Sequence, residues 1–125
     1  MRPHHPLGGI RVVLVEDDAD TLEVLAHVLR HHGAAVTTAA TAEDALLALE
    51  AADVVVTDVA MPGHDGVWLL EQVNRGGRPV PVIAISGFSE RQFERLAGAP
   101  FARKFLKPVD VWRLSREILA VVTTG

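Results

Sequence analysis

Short apolar runs alternate with amphipathic segments along the whole chain. The runs at 10–15 and 53–57 are dominated by valine, isoleucine and leucine, and each stops at acidic residues. Such runs are typical of strands buried on both faces of a sheet. Weaker or proline-interrupted runs at 34–38, 80–85 and 103–106 predict three further strands.

Helical periodicity and capping residues predict a helix after each strand. The predicted helices run from Asp18 or Asp20 to Gly33, from Thr41 through Leu46, Leu47 and Leu49, over 67–73, from Ser89 to Ala97, and from Asp110 to Val122. Strands alternating with helices predict an α/β sandwich around a five-stranded parallel sheet. Right-handed crossovers then bring the carboxyl ends of all strands to one edge, where open α/β sheets bind their ligands.

Length and composition describe a single domain. The chain has 125 residues, of which 49% are hydrophobic and 22% charged, and a globular chain of this size buries about two thirds of its unfolded surface. The first nine residues are rich in proline, glycine and histidine. We therefore expect a flexible N-terminal tail over 1–9, a domain over 10–122 and a C-terminal tail over 123–125.

Charge and cysteine content exclude several classes of protein. The net charge of −4 argues against a protein that binds nucleic acid directly through its phosphates. The absence of cysteine excludes disulfides and cysteine-ligated zinc. No apolar run approaches the roughly 20 residues of a membrane span, and the start lacks the apolar stretch of a secretion signal. We expect a cytoplasmic protein with no membrane partner.

Charged and polar side chains follow four of the predicted strands. Glu16 and Asp17 follow the first, Asp58 the third, Ser86 the fourth and Lys107 the fifth. If these strands are neighbours, three carboxylates crowd together and repel one another by several kcal/mol at about 4 Å and an effective dielectric of about 20. Oxygen ligands select a hard cation, so the predicted ion is Mg²⁺, with Mn²⁺ and Ca²⁺ as alternatives. Such a site can hold a transferring phosphoryl group, and a carboxylate such as Asp58 can itself be the nucleophile.

Five motifs together resemble the receiver domain of two-component response regulators. They occur in the order and spacing of that family between Ile10 and Val122, at residues 13–18, 53–58, 61–66, 83–87 and 105–108. The resemblance implies a flavodoxin-like, doubly wound (βα)5 sandwich. It also implies a phosphoryl-accepting signalling domain rather than an enzyme that turns over a separate substrate.

The same resemblance implies a role for each residue at the strand ends. Asp58 would accept the phosphoryl group. Asp17 would bind the metal directly, Glu16 would reach it through water, and the backbone carbonyl of Ala60 would be a third ligand. Lys107 would pair with the phosphate or with Asp58.

The resemblance further implies a switch and its partners. A sensor histidine kinase or a phosphotransfer protein would donate the phosphoryl group, Ser86 would swing inward to bind it, and the peptide bond before Pro108 would be cis. The face made by the fourth predicted helix, the fifth strand and the fifth helix would then repack, and this face is also a candidate homodimer surface.

The sequence departs from the family at the switch. The family places an aromatic residue three positions before the lysine, where this chain has Lys104, and Phe105 follows one position later. Either the fifth strand is shifted locally or the coupling lacks that aromatic. Trp112 stands beside basic residues off the apolar stripe of the last helix, so it is either a partner anchor in this switch surface or partly buried against its own helix.

Other functions compete less well with these residues. A phosphatase of the haloacid dehalogenase type needs a second aspartate two residues after the nucleophile, and position 60 is alanine. A receiver-like binding module that is never phosphorylated usually lacks an acid, the hydroxyl or the lysine, and none is missing. A nucleotide-binding flavodoxin-like protein needs a phosphate loop where this chain has acids. The chain would be a stand-alone receiver or part of a hybrid kinase or larger regulator.

The histidines add no second site by pattern alone. His27 and His31 have the spacing of helical metal ligands, with His32 adjacent, but a solvated helix face explains them better because no third ligand is evident. His64 lies in the loop after Asp58 and is interpreted as a plain loop residue.

Overall fold

The computed structural model describes residues 5–87 and 97–124, and its strands form one parallel sheet. The strands are β1 (Arg11–Val15), β2 (Ala35–Ala39), β3 (Val54–Asp58), β4 (Val82–Ser86) and β5 (Arg103–Leu106). Their order across the sheet is β2-β1-β3-β4-β5, and every neighbouring pair is parallel. The first, third, fourth and fifth strands are therefore neighbours, as the predicted site requires.

Helices connect the strands. They are α1 (Ala19–His31), α2 (Ala42–Leu47) with a following 3₁₀ turn (Leu49–Ala51), α3 (Gly66–Arg75) and the C-terminal helix (Val111–Thr124). The helix predicted from Ser89 lies, except for Ala97, outside the described residues. Within the described ranges, no helix combines the length and apolar character of a membrane span. The predicted α/β architecture is confirmed.

Two apolar cores lie on opposite faces of the sheet, because side chains alternate along each strand. On β1, Val13 and Val15 pack toward α2 and α3, while Val12 and Leu14 pack toward α1 and the C-terminal helix. All five residues of β3 and of β4 are buried. This double burial explains why these strands read as continuous apolar runs, and each fully buried valine or leucine contributes about 1.5–3 kcal/mol.

Three of the predicted caps lie among the described residues, and they begin their helices at the edge where the strands end. Asp18, Thr41 and Asp110 each accept a hydrogen bond from a backbone N–H group in the first turn of the helix that follows. Gly33 has a φ of +101° directly after α1, a conformation that glycine adopts at little cost. These helix starts are therefore anchored beside the site.

The second helix differs from its prediction. The sequence predicts a helix from Thr41 that continues through Leu46, Leu47 and Leu49, but α2 ends at Leu47, whose side chain is 86% exposed. Ala42 and Ala45 are the fully buried residues. Leu46 and Leu49 are partly buried against the same core.

The folded domain begins earlier and ends later than predicted. Leu7, assigned to a tail, is fully buried in the core, and its N–H donates to the His32 carbonyl oxygen at 2.9 Å. The tail prediction missed it because one leucine among prolines and glycines has no periodicity. At the other end, the C-terminal helix runs to Thr124, beyond the boundary set at residue 122.

His27 and His31 are exposed, as expected for a solvated helix face. The adjacent His32 is buried instead. The His32 side chain is 2% exposed, and Nδ1 lies 2.6 Å from Ser115 Oγ on the C-terminal helix. Burial, with a smaller contribution from the charge of His31, lowers the pKa of His32 below its usual value. The imidazole is thus a neutral link between α1 and the C-terminal helix.

We expect the burial of His32 to make its contribution to the free energy of unfolding depend on pH. In the unfolded chain His32 takes up a proton near its ordinary pKa of about 6.5, whereas the folded protein resists protonation until a lower pH. The contribution of His32 to the free energy of unfolding should therefore decrease as the pH drops from about 7.5 to about 5.5. Urea unfolding at both pH values should show that wild type loses stability relative to His32→Asn as the pH drops. An equal decrease in the two would contradict the prediction, and His27→Asn, at an exposed histidine, should behave as wild type.

Candidate functional site

Three carboxylates meet at the carboxyl edge of the sheet. One ligand oxygen from each of Glu16, Asp17 and Asp58 lies within 4.8 Å of the others. Because β1 and β3 are paired in register, their final residues emerge side by side. Glu16 and Asp58 are 3% and 6% exposed, whereas Asp17 is exposed. The cluster therefore has a buried floor and one carboxylate open to solvent.

Lys107 supplies a positive charge to this cluster from β5, two strands away. Its Nζ donates to Asp58 Oδ2 at 2.8 Å and to Glu16 Oε1 at 3.3 Å. Its backbone N–H donates to the Ser86 carbonyl oxygen at 2.8 Å, which continues the β4–β5 pairing past the end of β5. The peptide bond to Pro108 is cis, as predicted. The lysine thus reaches across β4 to the end of the central strand.

The charges at the site perturb one another strongly. Burial raises the pKa of Glu16 to about 8, and its hydrogen bond with Asp58 and the charge of Asp58 act in the same direction, against Lys107. Burial alone would lower the pKa of Lys107, but the hydrogen bonds and charges of Asp58 and Glu16 outweigh it, and the pKa is raised. With all four groups ionised, three carboxylates and one ammonium leave two negative charges. An all-oxygen donor set with this excess fits a hard divalent cation.

Ser86 and Ala60 flank the carboxylates. Ser86, the last residue of β4, is fully buried, and its hydroxyl donates to the Gly87 carbonyl oxygen at 3.1 Å. The Ala60 N–H donates to Asp58 Oδ1 at 3.2 Å. Both oxygens of the Asp58 carboxylate are therefore oriented, one by this N–H and the other by Lys107.

Gly66 is a site residue that the sequence analysis missed. A Cβ atom at this position would lie 2.6 Å from the Asp58 carbonyl oxygen and 2.9 Å from the Val59 Cα. The Gly66 N–H also donates to the Val59 carbonyl oxygen at 2.9 Å. The Asp-Gly pair resembles an ordinary turn in the sequence, because only the fold shows that α3 begins against the backbone of the proposed nucleophile.

The fifth strand is not shifted. Phe105 pairs with Ile85 in a regular parallel register, and its side chain is 8% exposed within the core. Lys104 points to solvent at the position where the family has its aromatic. Arg113 lies over the Phe105 ring, 5.6 Å from its centroid. The regular register excludes a local shift of the strand, and Phe105 is a core residue rather than a surface residue.

Trp112 is mostly exposed but contacts a residue outside its own helix. The side chain is 68% exposed, yet its ring lies 4.5 Å from the ring of the buried His32, centroid to centroid. Lys104, Arg113 and Arg116 are exposed on the same strand and helix, and Arg103 is paired with Glu117. An exposed indole among basic side chains thus rests on α1 through His32 rather than only on its own helix.

A cleft of about 620 Å³ opens beside the acidic cluster. It lies between α1 and the segment from Lys107 into the C-terminal helix. Its walls are largely apolar and include Val24, Leu25, Val109 and Val111, with Val24 60% exposed. The buried Asp58 is therefore approached through an apolar opening.

Comparison with known proteins assigns the family. The sequence profile described as the response regulator receiver domain matches residues 12–119. An uncharacterised 14.6 kDa protein of Leptolyngbya boryana is 35% identical over 115 residues, covering 88% of each chain. A two-component response regulator of Arabidopsis thaliana is 39% identical over 111 residues, covering 85% of this chain and 18% of the regulator. The chain thus spans a small part of that longer relative.

Solved structures agree in fold. A response regulator receiver domain from Clostridium thermocellum superimposes with a TM-score of 0.82 at 24% identity, covering 92% of this chain and 95% of that one. The receiver domain of a signal transduction histidine kinase from Syntrophus aciditrophicus gives 0.83 at 24% identity, with coverages of 93% and 92%. The chain belongs to the response regulator receiver domain family, whose members are phosphoacceptor signalling domains with the flavodoxin-like fold.

Proposed function

We propose that Asp58 accepts a phosphoryl group from a phosphohistidine on a sensor histidine kinase or a phosphotransfer protein. The observation that carries this proposal is the setting of its carboxylate. Asp58 ends the central strand, is nearly buried, and has one oxygen held by the Ala60 N–H and the other by the Lys107 ammonium. A carboxylate fixed in this way is a preorganised nucleophile.

The donor set fits Mg²⁺, with Mn²⁺ as an alternative. We assign Asp17 as a direct ligand, Glu16 as a ligand through water, and the Ala60 carbonyl oxygen as a third ligand. The bound ion would supply positive charge to the phosphoryl oxygens and to the crowded carboxylates. Burial and the neighbouring Asp58 raise the pKa of Glu16, so a cation bound here would favour the ionised form of this carboxylate.

The phosphoryl group would move from the donor imidazole to Asp58 in one displacement. An Asp58 carboxylate oxygen attacks phosphorus, the new O–P bond forms, and the P–N bond to the donor imidazole breaks as its leaving nitrogen takes up a proton. Lys107 keeps its proton throughout, since the neighbouring carboxylates raise its pKa, and it neutralises charge on the acyl phosphate. Hydrolysis of the acyl phosphate by water restores the carboxylate. The protein is thus a phosphoacceptor whose only reactions are its own phosphorylation and dephosphorylation.

The output is a change at the surface around β5. Ser86 would turn from the Gly87 carbonyl toward the phosphoryl oxygen, and Lys107 would follow the new charge. We assign the exposed Lys104 and Trp112 to this surface, with Phe105 as the core residue beneath it, and propose it as a homodimer or partner contact. No direct nucleic-acid contact is proposed, and we place the exchange in the cytoplasm.

Acetyl phosphate tests the proposal without a kinase. Incubation of the wild-type chain with acetyl phosphate and Mg²⁺ should add the mass of one phosphoryl group, mapped by peptide digestion to the segment containing Asp58. Chelation of the metal should reduce the labelling to background. A chain that gains no mass under these conditions, or gains it on a segment without Asp58, would overturn the proposed function.

A further inference from the structure

The loop between β3 and α3 carries Ala60 and is tied down at both ends. At its start, the Ala60 N–H donates to Asp58 Oδ1 at 3.2 Å. At its end, Asp65 Oδ1 accepts the Trp68 N–H at 2.9 Å and caps α3. Between these points Gly63 has a φ of +76°, and its exposed backbone has the wide freedom of glycine. The middle of the loop therefore needs a further restraint to hold one conformation.

His64 supplies that restraint from its position next to Gly63. Its ring is stacked on the indole of Trp68, with centroids 3.8 Å apart and planes 11° from parallel. Its Nδ1 lies 3.5 Å from Glu43 Oε1 in the first turn of α2. Trp68 is partly buried against the core, and Glu43 follows the Thr41 cap. His64 thus joins the loop to two helices that are themselves anchored.

We propose that His64 is a positioning residue for the metal site, because it holds the loop in the conformation that presents the Ala60 carbonyl oxygen. The inference rests on the proposed function, which makes that carbonyl a ligand. Trp68 is only four residues from His64, so the ring stack is local, whereas Glu43 approaches His64 only when α2 and α3 pack side by side.

The contacts of His64 add little to the stability of the whole domain, but they restrain the short loop between β3 and α3. The exposed contact between His64 and Glu43 and one ring stack contribute little to the stability of the whole domain. Released from them, the loop samples conformations in which Ala60 faces elsewhere, and each metal-binding event must then reorder it. The cost should appear in metal affinity, while the chemistry of an already loaded site is unchanged.

Three substitutions separate the contacts. His64→Ala removes both and should weaken Mg²⁺ binding about fivefold, whereas His64→Phe keeps the stack and Glu43→Gln removes only the charge, so each should have a smaller effect. Isothermal titration calorimetry measures the affinity, since fluorescence would report the altered surroundings of Trp68. The labelling rate by acetyl phosphate at saturating Mg²⁺ should equal that of wild type. In the metal-free protein, the Ala60 amide should exchange faster with solvent in His64→Ala.

Matched controls come from elsewhere in the chain. His27→Ala removes an exposed histidine on α1, and Glu117→Gln breaks another exposed ion pair, that with Arg103. Neither should change Mg²⁺ affinity or the exchange of Ala60.

The outcomes distinguish this inference from the proposed function. Wild-type affinity in His64→Ala, in a protein that is still labelled on Asp58, overturns the role of His64 and leaves the phosphoacceptor role intact. A fall in the saturated labelling rate together with a lower unfolding temperature overturns it as well, because that result describes general damage to the fold. A wild-type chain that binds no Mg²⁺ overturns both.

Discussion

Asp58→Asn protein should gain no phosphoryl mass from acetyl phosphate and Mg²⁺, whereas wild type is labelled. The amide has nearly the shape of the carboxylate but lacks the nucleophilic oxygen anion, so no acyl phosphate can form. The substitution also relieves the repulsion with Glu16, which shares Lys107 with Asp58. We therefore expect a folded protein, and intact-mass spectrometry should find it unmodified.

Asp44→Asn is the matched control for this experiment. Asp44 is an exposed carboxylate in the first turn of α2 and lies outside the acidic cluster. Its substitution should leave labelling at the wild-type level. Labelling of Asp58→Asn at another residue, in amounts comparable to wild type, would contradict the assignment of the acceptor.

Gly66→Ala should destabilise the domain by about 3 kcal/mol, at the upper end of the usual cost of overpacking. The new Cβ would lie 2.6 Å from the Asp58 carbonyl oxygen and 2.9 Å from the Val59 Cα, and both are backbone atoms that no side-chain rotation can move aside. Gly66 is also the first residue of α3, where alanine has the better helix propensity by up to about 1 kcal/mol. The steric cost is larger, so the net effect is a loss. Urea unfolding with a linear extrapolation measures it.

Gly98→Ala provides the comparison, since a Cβ at that glycine meets nothing within 4 Å. Its free energy of unfolding should stay within about 0.5 kcal/mol of wild type. The rate of labelling by acetyl phosphate should also differ between Gly66→Ala and Gly98→Ala. Only the substitution at Gly66 creates a clash whose relief moves the backbone of Asp58. Equal stability of Gly66→Ala and wild type would show that α3 can retreat from β3 without cost.

The buried strands and the acids at their ends were predictable because their signals are local. A strand covered on both faces must be apolar where it is buried among other side chains, as residues 12–15 of β1 and 54–56 of β3 are, and the apolar run ends near the edge of the sheet. Helix caps are also local signals, because the capping side chain accepts a hydrogen bond from an N–H group only two or three residues away. Short-range physics thus predicted Asp18, Thr41 and Asp110 correctly.

The failures concern residues whose surroundings come from distant parts of the chain. Leu7 and His32 are buried because α1, the C-terminal helix and the segment before β1 cover one another. Leu47 is exposed because it lies on the side of α2 away from the buried Ala42 and Ala45. Single apolar or polar residues of this kind have no pattern of their own, so their burial is decided by what packs on them.

For this protein, the sequence by itself determined the alternation of elements, the strand ends that carry acids, hydroxyl and lysine, and the resemblance to the receiver family. The tertiary structure alone decided that Lys107 shares its ammonium between Asp58 and Glu16, that α3 needs a glycine at residue 66, and that His64 reaches Glu43 on α2. The physical reason is range: hydrophobic periodicity and capping act within a few residues, whereas charge pairing and close packing join atoms that the chain brings together only by folding.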